Sequence, residues 1–281
     1  MKPEVLVIGP GGMKVFLQLG ALLELERMNI LENVSVFVGC SVGALVSLLL
    51  VIGYTTIEII NDVFNEDILN YLIDKFDFEK IYQSTGLIDP VNIRNKLSQK
   101  LIKKIGFVPN LQQLYLMTGK KFYSVAYNLN KDRVELFSYE TTPECLCVEA
   151  VLLSMNIPGI FYQMKYKEDY YIDGALGNPY PVDLFDDGRT MVLGISVDSE
   201  TLIQMKSSIE YLYKIIQTPM VQIKQRIISD SSSLCRHLII KSKYFDTLGI
   251  SLTDDNKIEM IKQGIEQCTK FLQSDNIKNL V

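Results

Sequence analysis

Three short stretches of this chain hold residue types that can do chemistry together. The first is Gly39-Cys40-Ser41-Val42-Gly43, a serine flanked two positions away on each side by glycine. A serine hydroxyl is a weak nucleophile until a sharp strand-to-helix turn exposes it and a base takes its proton. The second is Gly9-Pro10-Gly11-Gly12-Met13-Lys14, a glycine-rich turn whose backbone N–H groups can converge on one negative charge. The third is Asp173-Gly174-Ala175, which offers a carboxylate far downstream. Nucleophile, proton acceptor and anion cradle are the parts that acyl transfer requires. Each stretch also has a plainer reading. Ser41 suits a helix N-cap, the glycines suit a tight turn, and Asp-Gly is a common turn pair.

The flanking residues say how these groups are positioned. Val34 to Val38 is apolar and β-branched, a buried strand, and Ala44 to Ile52 is a helix with little polar character. Glycine at 39 and 43 fits a strand and helix that nearly touch at the elbow. Glu4 to Ile8 is a strand leading into the glycine turn, and Val15 to Met28 is the helix after it. That turn is neither a complete dinucleotide fingerprint, since the third glycine is missing, nor a P-loop, since Gly-Lys-Ser/Thr is missing. An oxyanion hole facing Ser41 is the functional reading that remains. Tyr170 to Ile172 is a short strand ending in Asp173, the place where open α/β sheets put functional carboxylates.

Between and beyond these lie a helix over Thr55 to Asp74, a basic helix over Val91 to Ile105, and a short helix from Leu111 capped by Asn110. A hairpin over Lys121 to Leu129 and Arg133 to Tyr139, a helix over Glu144 to Met155 and a strand over Met191 to Val197 follow. Long helices are expected over Leu202 to Ile228, kinked or divided by Pro219, and over Lys257 to Leu272. With no repeat or linker, the reading is a single domain over residues 1–281.

Composition narrows the function. The 281 residues are 48% hydrophobic and 22% charged, with a net charge of −5, which suits a globular protein and argues against a nucleic-acid partner. Met1-Lys2-Pro3-Glu4 lacks the features of a secretory leader, and the apolar run Ala44 to Gly53 is too short to span a bilayer. Five scattered cysteines without zinc spacing read as reduced thiols of an intracellular, cytoplasmic protein. There is one histidine, His237, so a Ser-His-Asp site has a single candidate base.

Taken in order, the motifs resemble the patatin-like phospholipase family over roughly residues 4 to 200. They are Gly11-Gly12-Met13-Lys14, Gln18-Leu19-Gly20-Ala21-Leu22, Gly39-Cys40-Ser41-Val42-Gly43, the stretch from Ser154 to Phe161, and Asp173-Gly174-Ala175 with Asn178-Pro179. The resemblance implies a three-layer α/β/α sandwich on a mainly parallel sheet, with the C-terminal helices of residues 201–281 packed on it. It implies Ser41 as nucleophile, Asp173 as base, and the N–H groups of Gly11, Gly12 and Met13 as oxyanion donors. Lys14, Gly39, Gly43, Gly174 and Asn178 would support them. It further implies a lipid acyl hydrolase of the phospholipase A type, without metal or cofactor. The substrate would be a phospholipid or neutral lipid, met through transient contact with a membrane surface. Pro10 and Val15 stand where the family usually has glycine.

Two other readings remain at this stage. One is an esterase using Ser41, Asp173 and His237; the other is a non-catalytic lipid-binding protein on the same fold. The stretch Tyr211 to Ile223, with Lys206, Lys214 and Lys224, fits either an interfacial lid or a helix packed on the core.

Overall fold

The computed structural model describes residues 2–65, 88–199, 208–242 and 252–274. Its strands are β1 (Val5–Ile8), β2 (Val36–Cys40), β3 (Lys121–Asn128), β4 (Arg133–Phe137), β5 (Met164–Tyr166), β6 (Asp169–Asp173), β7 (Val192–Ser199) and β8 (Cys235–Ser242). Its α-helices are α1 (Val15–Arg27), α2 (Val42–Val51), α3 (Thr56–Asn65), α4 (Val91–Ile105), α5 (Leu111–Thr118), α6 (Cys147–Ser154), α7 (Ser208–Asp230) and α8 (Asp254–Gln273).

The strands form one sheet in the order β5-β6-β3-β2-β1-β7-β8, with β4 on β3. The run β3-β2-β1-β7-β8 is parallel throughout, and β4, β5 and β6 add antiparallel pairs at one side. Alternation along β1 shows why its sequence is uniformly apolar. Leu6 and Ile8 point into one core with residues of α1, α2, α6 and α8; Val5 and Val7 point into another with Tyr180, Val182 and Ile227. A strand covered on both faces has no solvated side to mark with polar residues. Layers of helix, sheet and helix follow, the three-layer arrangement expected.

Strand β3 is the hinge of the layout. Residues 124 and 125 pair with both β2 and β4, and residues 126 to 128 pair with both β4 and β6. Since a strand has two edges, β2 and β6 must share one of them. They meet end to end, with Cys40 opposite Val125 and Asp173 opposite Ala126. Two strands running in opposite directions therefore finish at the same point.

Most expected elements are present, with instructive differences. The structure describes only Thr56–Asn65 of the expected helix over Thr55 to Asp74; the rest lies outside the described residues. The helix expected from Glu144 begins at Cys147, because the Cys145 carbonyl accepts the Leu111 N–H and the Cys147 N–H donates to the Pro109 carbonyl, holding this stretch extended against the Asn110 turn. Pro219 does not divide α7, which runs through it. Proline leaves one carbonyl of the preceding turn without its N–H partner, and Thr218 Oγ1 donates to the neighbouring Lys214 carbonyl at 2.8 Å. The C-terminal part is not purely helical. Cys235–Ser242 forms β8, an edge strand whose eight-residue parallel pairing with β7 overrides its irregular polarity.

Candidate active site

The elbow forms because the chain has no room for anything larger. A Cβ on Gly39 would lie 2.3 Å from the Ala44 Cα, and one on Gly43 would lie 2.1 Å from the Ile8 carbonyl oxygen. Those distances seat the first turn of α2 directly on the ends of β1 and β2. Between the two glycines Ser41 adopts φ 58 and ψ −132, a left-handed backbone that non-glycine residues seldom occupy. Although Ser41 stands at the N-cap position, its side chain makes no cap hydrogen bond. The hydroxyl turns away from its own helix.

It turns toward Asp173. Ser41 Oγ donates to Asp173 Oδ2 at 2.6 Å, and the Ala175 N–H donates to Oδ1 at 2.9 Å. Ser41 is 6% exposed and Asp173 4%. Burial penalises the carboxylate more than these two hydrogen bonds favour it, so the Asp173 carboxyl is pushed up to about 6. It remains the conjugate base at neutral pH while becoming a far better proton acceptor than an exposed aspartate.

The glycine turn lies beside this pair. It leaves β1 at Ile8, whose carbonyl sits under Gly43, and Ile8 is in register with Gly39. Gly12, Met13 and Lys14 form one 3-10 turn closed by the Lys14 N–H on the Gly11 carbonyl at 2.9 Å. Gly12 is exposed, Gly11 half-buried, and Met13 and Lys14 buried. Gln18, fully buried in α1, braces the turn by donating Nε2 to the Gly9 carbonyl at 2.8 Å.

The residues after Asp173 are equally constrained. Gly174 packs on the Val125 carbonyl, where a Cβ would come within 2.2 Å. Asn178 Nδ2 donates to Asp183 Oδ1 at 2.9 Å, its Oδ1 accepts the Tyr180 N–H, and its backbone carbonyl accepts from Cys40 Sγ at 3.7 Å. Asn178 thereby ties the loop after the carboxylate to the residue before the serine.

His237 is not in this assembly. It sits in β8, three strands from β2, which at ordinary strand spacing is about 14 Å away. Its Nδ1 meets the Tyr180 hydroxyl at 3.1 Å, and burial lowers its pKa below the usual histidine value. The reading that joined it to Ser41 and Asp173 is corrected by the sheet order. Lys224, named with Lys206 and Lys214 beside the stretch that fits a lid or a packed helix, is buried against Asp198 and Ser196. Met220 and Ile223 pack inward, whereas Tyr211, Ile215, Ile216 and Val221 remain exposed. Lys206 lies outside the described residues.

The stretch from Ser154 to Phe161 was among the family-like motifs, without individual roles for Ser154 or Asn156, yet both bond to the backbone of the site. A polar residue closing the apolar run Val151-Leu152-Leu153 was the available signal. Among the described residues no group of three or more His, Cys, Asp or Glu is placed to hold a metal ion, and no helix is long and apolar enough to cross a membrane. A cavity of about 470 Å³ opens at the opposite, N-terminal ends of the strands, lined by Glu4, Ser35, Lys121 and Asp186 among others, and contains none of the residues above.

Comparison with known proteins bears on the family and the fold. The chain is 33% identical over 189 residues to “Probable lipid hydrolase 463L” of Invertebrate iridescent virus 6, covering 66% of this chain and 64% of that relative. It is 28% identical over 193 residues to an uncharacterized protein of Acanthamoeba polyphaga mimivirus, covering 68% of this chain and 64% of the relative. The matches thus span a little under two thirds of either relative. In fold it is similar to VipD from Legionella pneumophila, with a TM-score of 0.66 at 16% identity over 97% of this chain and 67% of VipD. The type III effector protein ExoU gives 0.58 at 15% identity over 97% of this chain and 53% of ExoU. The family model for patatin-like phospholipase matches residues 6–186, and the chain belongs to that family.

Proposed function

We propose that this protein is a lipid acyl hydrolase of the phospholipase A type, working through a Ser41–Asp173 dyad and an acyl-enzyme. The observation that carries the reading is the 2.6 Å hydrogen bond from a strained-backbone serine to a buried carboxylate, whose burial raises its basicity. Family membership and the viral lipid hydrolase relative support the substrate class.

In the first half-reaction the Ser41 proton passes to Asp173 Oδ2 as Oγ attacks the ester carbonyl carbon. The tetrahedral oxyanion is held by backbone N–H groups of Gly11, Gly12 and Met13. Its collapse breaks the ester C–O bond, and Asp173 returns the proton to the departing alcohol. In the second half, water gives a proton to Asp173 and attacks the acyl-enzyme. Collapse releases the fatty acid, and Ser41 Oγ recovers the proton. The exposed apolar residues Tyr211, Ile215, Ile216 and Val221 of α7 suit transient contact with a lipid surface.

The test is fatty-acid release from a panel of phospholipids and triacylglycerol, with fluorophosphonate labelling of Ser41 alongside. Release by wild type, loss in Ser41→Ala and labelling confined to Ser41 are the expected results. A wild type that takes no probe and releases nothing favours the non-catalytic lipid-binding reading, for which Pro10, lacking an N–H, is the pertinent residue.

A further inference from the structure

Ser41 and Asp173 are 132 positions apart and share no element. One segment touches both of their backbones. It begins at Ser154, the last residue of α6, which is fully buried. Ser154 Oγ accepts the Ser41 N–H at 2.9 Å and donates to the Val125 carbonyl at 2.5 Å. Two residues later the Asn156 carbonyl accepts the Asp173 N–H at 2.8 Å, and Asn156 Nδ2 donates to the Tyr171 carbonyl at 2.7 Å. Val125 is also the β3 residue opposite Cys40, at the point where β2 and β6 abut.

We infer that Ser154 and Asn156 are positioning residues, forming a strap from Ser154 to Asn156 that sets the Ser41–Asp173 separation by holding the backbone on each side of it. The inference rests on the dyad reading above.

The chemistry of each group supports this role. The left-handed turn at Ser41 takes its N–H out of both the β2 ladder and the α2 helix, so the buried donor needs a side-chain acceptor. Ser154 supplies it, and its own proton goes to the strand junction. A hydroxyl at the end of an otherwise apolar run contributes nothing to packing that alanine would not. Asn156 is 3% exposed, and its Oδ1 is buried with no hydrogen-bond partner among the described residues. An unpaired buried oxygen costs on the order of 1–3 kcal/mol, so the residue is a poor choice for filling space. Its Nδ2 bond to Tyr171, two residues before the carboxylate, is what the asparagine supplies. Neither side chain needs to touch substrate. Displacing reacting groups by about 1 Å can cost 100-fold in rate, and releasing either end of the strap permits such a shift.

The experiment compares full-length wild type with Ser154→Ala, Ser154→Thr, Asn156→Asp and Ser47→Ala. The readouts are kcat and KM for fatty-acid release, the rate of fluorophosphonate labelling, and Tm. Ser47 is the control, because its buried Oγ also donates to a central-strand carbonyl, that of Val38 at 3.3 Å, without reaching the dyad. Ser154→Ala is expected to lower kcat and labelling about 10- to 100-fold with KM within about 2-fold. Ser154→Thr, which keeps the hydroxyl, recovers most of the loss. Ser47→Ala stays within about 2-fold of wild type. Asn156→Asp keeps the shape but removes the Nδ2 donor to the Tyr171 carbonyl, lowering kcat and labelling about 10-fold, while its carboxylate near Asp173 moves the acid limb of kcat/KM to higher pH. It carries the test by itself if Ser154→Ala does not fold. A labelled wild type whose Ser154→Ala and Asn156→Asp variants keep its labelling rate and acid limb overturns the strap alone. A wild type that takes no probe, with Ser41→Ala releasing fatty acid as fast, overturns the dyad and the strap together.

Discussion

Two polar pairs, one buried and one half-buried, lie on the same sheet and differ in almost everything but distance. Ser41 Oγ and Asp173 Oδ2 are 2.6 Å apart; Tyr180 Oη and His237 Nδ1 are 3.1 Å apart. The first pair sits where strands end, beside a glycine turn and on a backbone held at φ 58. The second sits within the sheet. His237 is mid-strand in β8, paired with Gly194, and the Tyr180 ring crosses β7 where Gly194 leaves it space. That pair stands at the sheet's edge strand, two strands from β1 and the glycine turn that leaves it. The pair at the strand ends has neighbouring backbone that no ladder claims. Histidine is the usual proton acceptor in hydrolases; in the proposed mechanism Asp173 takes that role, because the fold puts its carboxylate, and not His237, beside Ser41.

Four predictions sharpen or break this contrast. The largest effect is expected from Asp173→Asn, which keeps the shape and removes the base; fatty-acid release should fall about 1000-fold or more. Next, kcat/KM in the wild type should drop about tenfold per pH unit below an apparent pKa near 6, the value that burial gives Asp173. A limb near 4 means the carboxylate is solvated and the burial argument fails.

The third concerns stability. The folded chain binds the Asp173 proton more tightly than the unfolded chain, whose aspartates titrate near 3.8. Stability contributed by that proton is present below about pH 4 and is lost as pH rises toward 6 and beyond. Asp173→Asn removes the buried charge and should unfold later than wild type at pH 8, by on the order of 2–3 kcal/mol, with the advantage gone at pH 4. Denaturant unfolding at the two pH values measures it; equal stability at both means no free energy is stored at the site. The smallest catalytic effect belongs to His237→Ala. Its rate should stay within about 2-fold of wild type, while stability falls about 1–3 kcal/mol because the buried Tyr180 hydroxyl loses its partner.

Local chemistry was legible wherever a residue answers to its immediate neighbours. Gly39 and Gly43 announced a strand and helix in contact, and a Cβ at either would meet backbone. Asn110 announced a helix start, and it closes a capping box with Gln113. The apolar runs announced β1, β2 and α2. Elements whose identity depends on distant partners were harder. Cys235–Ser242 has no clean alternation, and only its pairing with β7 makes it a strand. Tyr211 to Ile223 gave one amphipathic pattern for two environments, since Met220, Ile223 and Lys224 are covered by the sheet layer while Tyr211 and Ile215 are not.

By itself the sequence determined the parts: a serine between two glycines, a glycine-rich turn after the first strand, an Asp-Gly at the end of a short strand, and a single histidine. Those follow from covalent chain order and local sterics, which act over a few residues. Only the tertiary structure decided which parts meet. Strand β3 takes β2 and β6 along one edge and stops them at adjacent residues, so a hydroxyl and a carboxylate 132 positions apart fall within hydrogen-bonding distance. The same sheet order carries His237 three strands away. Pairing of that kind depends on register and edge sharing between distant segments, and neither property is written in any one stretch of chain.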